Sequence, residues 1–503
     1  MGIALMDMDQ VVEIGRVNPA SPILPKPSDI STICYTPGTT GAPKGVTITH
    51  AAFAYAAHAT YLSLQLQERT TYLSCFPLHL IADRHNIYAL MFNIVRIGFP
   101  SSSSSSSNSK RQDKVFADMQ KLHPTIVFML PQLLRRAYAE SIAVTTEAGG
   151  LFGILSRIGL SMKIANFRKG NGLRHTLWDH LVFKGIAQRF GGSLETLITG
   201  YSRLQPQVHD FFRAALSCNV LNRYCLTELA GGGFMQTCES LETGSVGVPQ
   251  PGIDICLRSI PSLGYNIADM PCSRGVLLVR SESICSKHLP LTNRDQASNM
   301  DGEWLVTGDI AQFNTDGTFT IIDRLSNVVS LSSGDNVALA YLESIYSSHP
   351  MIDTVIVYAE ENEHERELVA VAMPKHDKFV AWARSIVPEG SSSDMTDLCS
   401  NKLVAAAMVE ELNSVARKAD TRQTHWIGAV YLEPSISDQI NSSSGVFTET
   451  FSIRRRSVAQ HYLPAMNSQR KLLDSDDTVT ISLSCASDTT CIGNRAKKVT
   501  AKG

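Results

Sequence analysis

Twelve consecutive residues, Tyr35-Thr36-Pro37-Gly38-Thr39-Thr40-Gly41-Ala42-Pro43-Lys44-Gly45-Val46, combine three glycines, three threonines and one lysine. Glycine permits a tight backbone path that turns several N–H groups toward one ligand. The threonine hydroxyls add donors, and Lys44 adds one positive charge. Such a loop suits a polyphosphate. It is not the usual P-loop, because the Gly-Lys-Ser/Thr ending is missing and Lys44 stands between Pro43 and Gly45. A flexible surface turn is the plain alternative for a lone glycine-rich stretch, but here the match runs the length of the segment.

Three further segments carry chemistry. Tyr224-Cys225-Leu226-Thr227-Glu228 offers an aromatic ring to stack on a base, a hydroxyl for a phosphate oxygen and a carboxylate for a hard cation. Trp304-Leu305-Val306-Thr307-Gly308-Asp309 ends in a carboxylate with two acceptor oxygens. Ile322-Asp323-Arg324 supplies a guanidinium shortly after it. The plainer readings are a core tyrosine, a solvated glutamate and a turn aspartate.

The elements around these segments alternate. Ile33–Thr36, Thr70–Phe76, Thr125–Met129, Leu194–Thr199 and Asn219–Arg223 read as short buried strands. Between them, Ala51–Leu66, Arg84–Ile94, Asp113–Leu122, Gln132–Ala143, Leu151–Phe167 and Gln205–Leu216 carry apolar residues at helical spacing. That alternation predicts an α/β fold with a largely parallel sheet covered by helices. From Gly244 to Asp323 the texture changes to short strands with turn signals, predicting a smaller β-rich region. From Leu325 to about Pro464 a small α+β unit is expected, with strands at Thr354–Ala359 and Glu367–Ala372 and a helix at Leu403–Arg417. The polyserine stretch Ser101–Ser107 and the polar end after Pro464 read as disordered.

The phosphate-loop segment resembles the nucleotide signature of the adenylate-forming (AMP-binding) enzymes, Tyr-Thr-Ser-Gly-Thr-Thr-Gly-x-Pro-Lys-Gly, with Pro37 in place of the serine. Leu177-Trp178-Asp179-His180-Leu181-Val182-Phe183 is similar to a stretch common in the long-chain fatty acyl-CoA synthetases. The resemblance runs from about Pro25 to Pro464 with its motifs in the family's order. It implies a large nucleotide-binding core over residues 1–324, a small mobile lid over 325–465 and a disordered tail over 466–503. It implies ATP, Mg²⁺ and coenzyme A as partners of a fatty acid. Thr36, Gly38, Thr39, Thr40, Gly41 and Lys44 would then hold phosphates, and Gly200, in Leu197-Ile198-Thr199-Gly200-Tyr201-Ser202, would flank adenine. Tyr224 would lie against the base, Thr227 would meet the α-phosphate, and Glu228 would bind magnesium. Asp309 would accept from both ribose hydroxyls, and Arg324 would contact ribose or phosphate.

Several positions depart from the pattern. Cys225 replaces a glycine, and Arg203-Leu204 replaces a proline-containing continuation. In Phe76-Pro77-Leu78-His79-Leu80 the histidine falls one position early, and it serves equally as a core histidine. Ser326 and Ser330 stand where Asp or Lys and Lys are usual. Ser452, in Phe447-Thr448-Glu449-Thr450-Phe451-Ser452, replaces the lysine that reaches the acyl carboxylate. Losing one preorganised donor of that kind costs roughly 10²–10³ in rate. Arg454–Arg456 read as a solvated basic turn. Val127–Pro131 and Leu151–Phe167 suit either the walls of an apolar acyl tunnel or plain core packing. The family's large amino-terminal segment is also missing before Tyr35, as in a shortened form or a start site assigned too far downstream.

Composition sets the outer bounds. Forty-five basic against 47 acidic residues give a net charge of -2, with no global field toward nucleic acid. No apolar run reaches the ~18 residues of a membrane-spanning helix, although peripheral membrane contact is compatible with the sequence. The start MGIALMDMDQ has no basic region of a secretory signal. Eleven cysteines without a C-x-x-C pair suit reduced thiols. The expectation is an intracellular protein, cytoplasmic or peripheral on an organelle membrane. Two alternatives to a long-chain ligase stay open: a degenerate family member that binds without turnover, and a donor of acyl-adenylate to a carrier protein.

Overall fold

The computed structural model of the chain describes residues 5–36, 44–64, 66, 69–76, 78, 80–93, 95–101, 108–240, 242–285, 287–289, 300–361, 366–388, 394–419, 421–434, 455, 457–458 and 460–462. Gly38, Thr39, Thr40, Gly41, His79, Ser102–Ser107, Ser452 and the tail from 466 lie outside the described residues.

The main sheet has seven strands in the order Arg96–Gly98, Thr71–Leu73, Ile126–Met129, Thr196–Gly200, Asn219–Cys225, Gly233–Met235 and Val248–Pro249. The first five run parallel, and the last two are antiparallel. Parallel strands covered on both faces favour apolar side chains, and these short runs are mostly apolar, with Asn222 and Arg223 as buried exceptions in Asn219–Cys225. Leu73, Val127, Met129, Leu197 and Val220 face one layer of helices, where Leu134, Phe190, Phe211 and Phe212 are buried. Their sequence neighbours Tyr72, Ile126, Phe128 and Ile198 face the other layer, against Phe76, Ile87 and Leu90. Each such side chain contributes about 1.5–3 kcal/mol when fully buried. The alternation read from sequence is present from Thr71 on, with helices at His50–Ser63, Ile81–Met91, Asn108–Leu122, Pro131–Ala143, Gly150–Arg168 and Pro206–Leu216, whereas the expected strand Ile33–Thr36 belongs to a separate antiparallel sheet. Thr49 caps the first of these by accepting from Ala52 N at 3.1 Å, and Pro131 and Pro206 open two others, where a missing N–H costs nothing.

Two smaller sheets flank the carboxyl end of the main one. Ile30–Thr36 and Lys44–Thr49 form an antiparallel hairpin, joined by Lys287–Leu289. Asp254–Arg258, Arg274–Arg280, Trp304–Phe313, Phe319–Arg324 and Met300–Asp301 form the β-rich sheet expected after Gly244. Its apolar side packs Leu277, Val279, Leu305 and Phe319 onto Phe234 of the main sheet and onto Leu226 and Leu229 just beyond the end of Asn219–Cys225.

After Arg324 the side chains from Leu331 to Leu432 form an apolar cluster of their own. There Ile352–Glu361 pairs antiparallel with Arg366–Pro374, which pairs parallel with Ala429–Leu432, backed by the helices Leu339–Tyr346 and Lys402–Lys418.

One helix meets the core-packing alternative only in part, through Leu155, Leu160 and Phe167. Gly150–Arg168 buries Gly153, Ser156, Gly159, Lys163 and Phe167, so its inner face is mostly small or polar. Lys163 is held inside by Asp179 and by Ser217 Oγ at 2.6 Å. Leu151, Phe152, Ile154, Ile158 and Met162 are exposed. They wall no tunnel and enter no core.

Candidate active site

The site is assembled where strands end. In open parallel sheets the crevice beyond the carboxyl ends is where ligands bind, and Gly200, Tyr224, Cys225, Thr227 and Glu228 all lie there. Gly200 closes its strand with no room for a side chain: a Cβ would stand 2.6 Å from the Arg223 carbonyl oxygen of the next strand. Tyr201 follows with φ +70°, a conformation a bulky residue adopts only under constraint.

Tyr224 is the last but one residue of Asn219–Cys225, half-buried, with its ring edge-to-face on Phe234 at 5.7 Å between centroids. Its hydroxyl donates to Asp309 Oδ2 at 2.5 Å. The sequence pointed to the ring of Tyr224; the hydroxyl is a second use that it did not reveal. Thr227 and Glu228 open a one-turn 3-10 helix, Thr227–Leu229, and both are half-buried.

Asp309 is 2% exposed. The Thr-Gly-Asp order has a local cause. Gly308 takes φ +76°, which turns the chain inside a strand, and Thr307 then accepts the Asp309 N–H at 3.0 Å while donating to Leu277 O at 2.9 Å. Arg324, half-exposed on the neighbouring strand, lies directly across from Asp309 in the ladder and places Nε 3.1 Å from Oδ1. Burial pushes the Asp309 carboxyl above its ordinary value, and the Glu228 charge adds to this. Arg324 and the Tyr224 hydrogen bond act the other way without cancelling it.

The pairing of Asp309 with Arg324 depends on a bulge. The register runs Ala311↔Ile321 and then Ile310↔Asp323, so Ile322 is an extra residue on its strand. Asp323 faces away from Asp309 and into the chain junction. Its Oδ1 accepts from Arg324 N at 2.7 Å and Asn327 Nδ2 at 3.0 Å, and its Oδ2 accepts from Ala340 N at 2.8 Å. Ala340 lies in the first turn of Leu339–Tyr346, whose N-cap residue Ala338 has no side chain able to cap. Asp323 supplies that cap from the strand before the junction. Asp323→Asn would set an amide donor against the Ala340 N–H, and a loss of about 1–3 kcal/mol is expected in denaturant unfolding. An unchanged midpoint would refute this role.

The phosphate hairpin is anchored beside Glu228. Thr36 and Lys44 are cross-strand partners, and Thr36 Oγ1 donates to Lys44 O at 3.4 Å. Cys34, Val46 and Ile48 of the hairpin are buried together with Ala230 and Cys285, and Cys285 N donates to Glu228 O at 2.8 Å.

A buried polar network behind the site escaped the sequence reading. Arg223 is 2% exposed and donates to Asn86 Oδ1 at 2.6 Å, Gly231 O at 2.6 Å and Thr60 Oγ1 at 3.1 Å. Gln250 Nε2 also donates to Thr60 Oγ1, at 2.8 Å. Thr60 can then only donate to His85 Nε2, 2.6 Å away, which leaves Nδ1 to donate to Ala230 O at 3.0 Å. Burial, and then the Arg223 charge, hold His85 well below its usual range and therefore neutral. The network fixes the Ala230–Gly233 turn directly after Glu228. The one signal for it was an arginine inside a strand that otherwise reads as buried.

The lid end contradicts one expectation. Arg455 is no solvated turn residue. It grips Glu343 through both guanidinium nitrogens, NH2 to Oε2 at 2.9 Å, and donates to Val357 O at 2.7 Å. Ser330 Oγ donates to Asn336 Oδ1 at 2.6 Å across its own hairpin.

Sheet order, strand-end crevice and a separate carboxyl-terminal apolar cluster are those of the adenylate-forming fold. The adenylation domain of a carboxylate reductase from Mycobacterium chelonae superposes with a TM-score of 0.67 at 20% identity, over 93% of this chain and 64% of that one. A corresponding domain from Segniliparus rugosus, in complex with AMP and a co-purified carboxylic acid, gives 0.66 at 19% identity, over 92% and 66%. The profile described as AMP-binding enzyme matches residues 5–287, and the chain belongs to that family. It is 30% identical over 480 residues to the peroxisomal long chain acyl-CoA synthetase 6 of Arabidopsis thaliana, covering 95% of this chain and 66% of that protein. It is 31% identical over 474 residues to the probable CoA ligase CCL6 of Humulus lupulus, covering 92% and 68%. The chain thus spans about two thirds of the length of the curated relatives it matches.

Proposed function

We propose that the protein activates a long-chain fatty acid with ATP and passes it to coenzyme A. A carboxylate oxygen of the acid attacks the α-phosphorus, pyrophosphate leaves, and the thiol of coenzyme A then displaces AMP to give the thioester. The observation that carries this reading is the Tyr224–Asp309–Arg324 assembly beside Glu228 at the strand ends. Asp309 accepts the ribose hydroxyls, Arg324 lies over ribose or phosphate, and Thr227 meets the α-phosphate. Lys44 and its loop, with Thr36, Gly38, Thr39, Thr40 and Gly41, take the outer phosphates, and Gly200 flanks adenine. Among the described residues no three metal-ligating side chains cluster. A single carboxylate such as Glu228 suits Mg²⁺, which is held by one or two carboxylates together with substrate phosphates and retained waters. When bound, the ion would neutralise phosphate charge. The names of the relatives support long-chain acids as substrates. We read residues 1–324 as the nucleotide core, 325–465 as the lid and 466–503 as a disordered tail.

A second reading, nucleotide binding without turnover, is favoured by Ser452, Ser330 and Leu80 at positions where the family carries charged or histidine side chains. Incubation with ATP, Mg²⁺ and acids of graded chain length, with hydroxylamine as trap, separates the two. Hydroxamate and pyrophosphate are the expected products, and Ser452→Lys should raise their rate by about 100-fold. Bound ATP with no hydroxamate from any acid would overturn the ligase reading. Hydroxamate without any coenzyme A thioester would point to transfer onto a carrier protein instead.

A further inference from the structure

The helix Gly150–Arg168 carries its large aliphatic residues on the wrong side for a soluble surface. Leu151, Ile154, Ile158 and Met162 recur at spacings of three and four, so they form one stripe, and each is between 44% and 71% exposed. The opposite face, built on Gly153, Ser156, Gly159 and Phe167, is the one that packs. The adjoining short helix Thr176–Leu181 adds exposed Leu177 and Leu181. Contiguous apolar surface of this kind marks an interaction site.

Charge says what the occupant is. From Gly150 to Arg189 the sequence holds seven Lys or Arg and one acidic residue, Asp179, in a chain whose net charge is -2. Asp179 is spent on buried Lys163. Arg157, Arg168 and Lys169 are exposed on or at the end of the same helix, and Arg174 and Lys184 are exposed in the segment that follows; Arg168 alone of these forms an ion pair, with Asp210 at 2.8 Å. A second copy meeting this face through a two-fold axis would bring these cations against one another. An apolar stripe rimmed by cations instead matches an anionic bilayer, where aliphatic side chains enter the acyl boundary and cations meet headgroup phosphates. No described helix is long and apolar enough to cross a membrane, and Arg157 and Lys163 interrupt this one. It lies along a surface.

We propose that the Gly150–Arg168 face, with Leu177 and Leu181, docks the protein on anionic lipid bilayers. The proposal is independent of the ligase reading.

Flotation of the full chain with phosphatidylcholine vesicles, with and without phosphatidylserine, tests it. Binding is expected with phosphatidylserine, little without it, and weakening as salt rises. Ile158→Ser with Met162→Ser should lower partitioning at least tenfold. Arg168→Glu with Lys169→Glu should abolish the preference for phosphatidylserine. Unchanged circular dichroism is the control for folding. If the paired serine variant melts early, Leu151→Ser in the exposed first turn replaces it. The proposal falls if the wild-type chain floats with neither vesicle, or if the serine variants float equally well. It also falls if the face instead mediates a dimer that Ile158→Ser dissolves in sedimentation while vesicle binding persists.

Discussion

Asp309→Asn is expected to weaken ATP binding by about 100-fold while leaving the protein as stable as before, or more stable. The affinity loss follows from geometry. In the proposed function one ionised carboxylate accepts from both ribose hydroxyls, and hydrogen bonds to a charged acceptor contribute about 1.5–3 kcal/mol each. Asparagine keeps one acceptor and sets a donor where the other was. The stability argument runs in the opposite direction. Burial pushes the Asp309 carboxyl above its ordinary value, so the folded state disfavours the ionised form. A raised folded-state value means that stability is fully present below the unfolded-state value and is lost as pH rises through the folded one. At neutral pH the charge of Asp309 is therefore a cost to folding, and the amide removes it. Isothermal titration with ATP and a thermal melt, made on the same variant, measure both effects. Falls in affinity and melting temperature together would mark Asp309 as merely structural.

The same shift sets a pH dependence. ATP affinity should fall as pH is lowered through the raised value of Asp309, at a pH above that of an ordinary aspartate. Arg324 lowers that value, so Arg324→Gln should move the fall to still higher pH. Midpoints that coincide in the two proteins would disprove the coupling.

Arg455→Met is expected to cost about 3–5 kcal/mol of unfolding free energy, the largest stability effect anticipated in this molecule. Glu343 and Arg455 are both largely buried, with side chains 12% and 16% exposed. Removing one partner of such a pair leaves the other charge desolvated and alone. Glu343 also accepts from Val357 N at 2.8 Å, and Arg455 donates to Val357 O, so the pair ties a helix, a strand and the carboxyl-terminal segment at one point. Restoring neutrality with Glu343→Leu and Arg455→Met together should recover most of the loss. Chemical denaturation of the three variants measures it, and a double variant no better than the single one would refute the paired burial.

The main sheet was legible from sequence because strands buried on both faces are mostly apolar, and loops between them must carry turn residues. Asp309, Arg324, Tyr224 and Glu228 could be singled out because the chemistry of their side chains and their order matched a known signature, and the fold brings the first three into contact. The Arg223–Thr60–His85–Gln250 network was not, since its members lie far apart in sequence and only folding brings them together. Arg455 was missed for a related reason: a run of arginines looks solvated until its partner, 112 residues earlier, is known. The helix Gly150–Arg168 shows a different limit. Periodicity identifies an apolar stripe, but it carries no sign, and whether the stripe looks inward is decided by what the other face can pack against.

The single inserted residue at Ile322 works as a phase shifter between two tasks. In an unbulged ladder continuing from Ala311↔Ile321, Asp309 would stand opposite Asp323, and two carboxylates would compete for one small space. The insertion advances the strand by one step. It delivers a cation to Asp309 and sends the carboxylate to the junction, where it holds the first turn of the helix Leu339–Tyr346. Neighbouring residues thus report to opposite parts of the molecule. A variant lacking the inserted residue would therefore lose both contacts at once, the Arg324 pair with Asp309 and the Asp323 cap on Ala340.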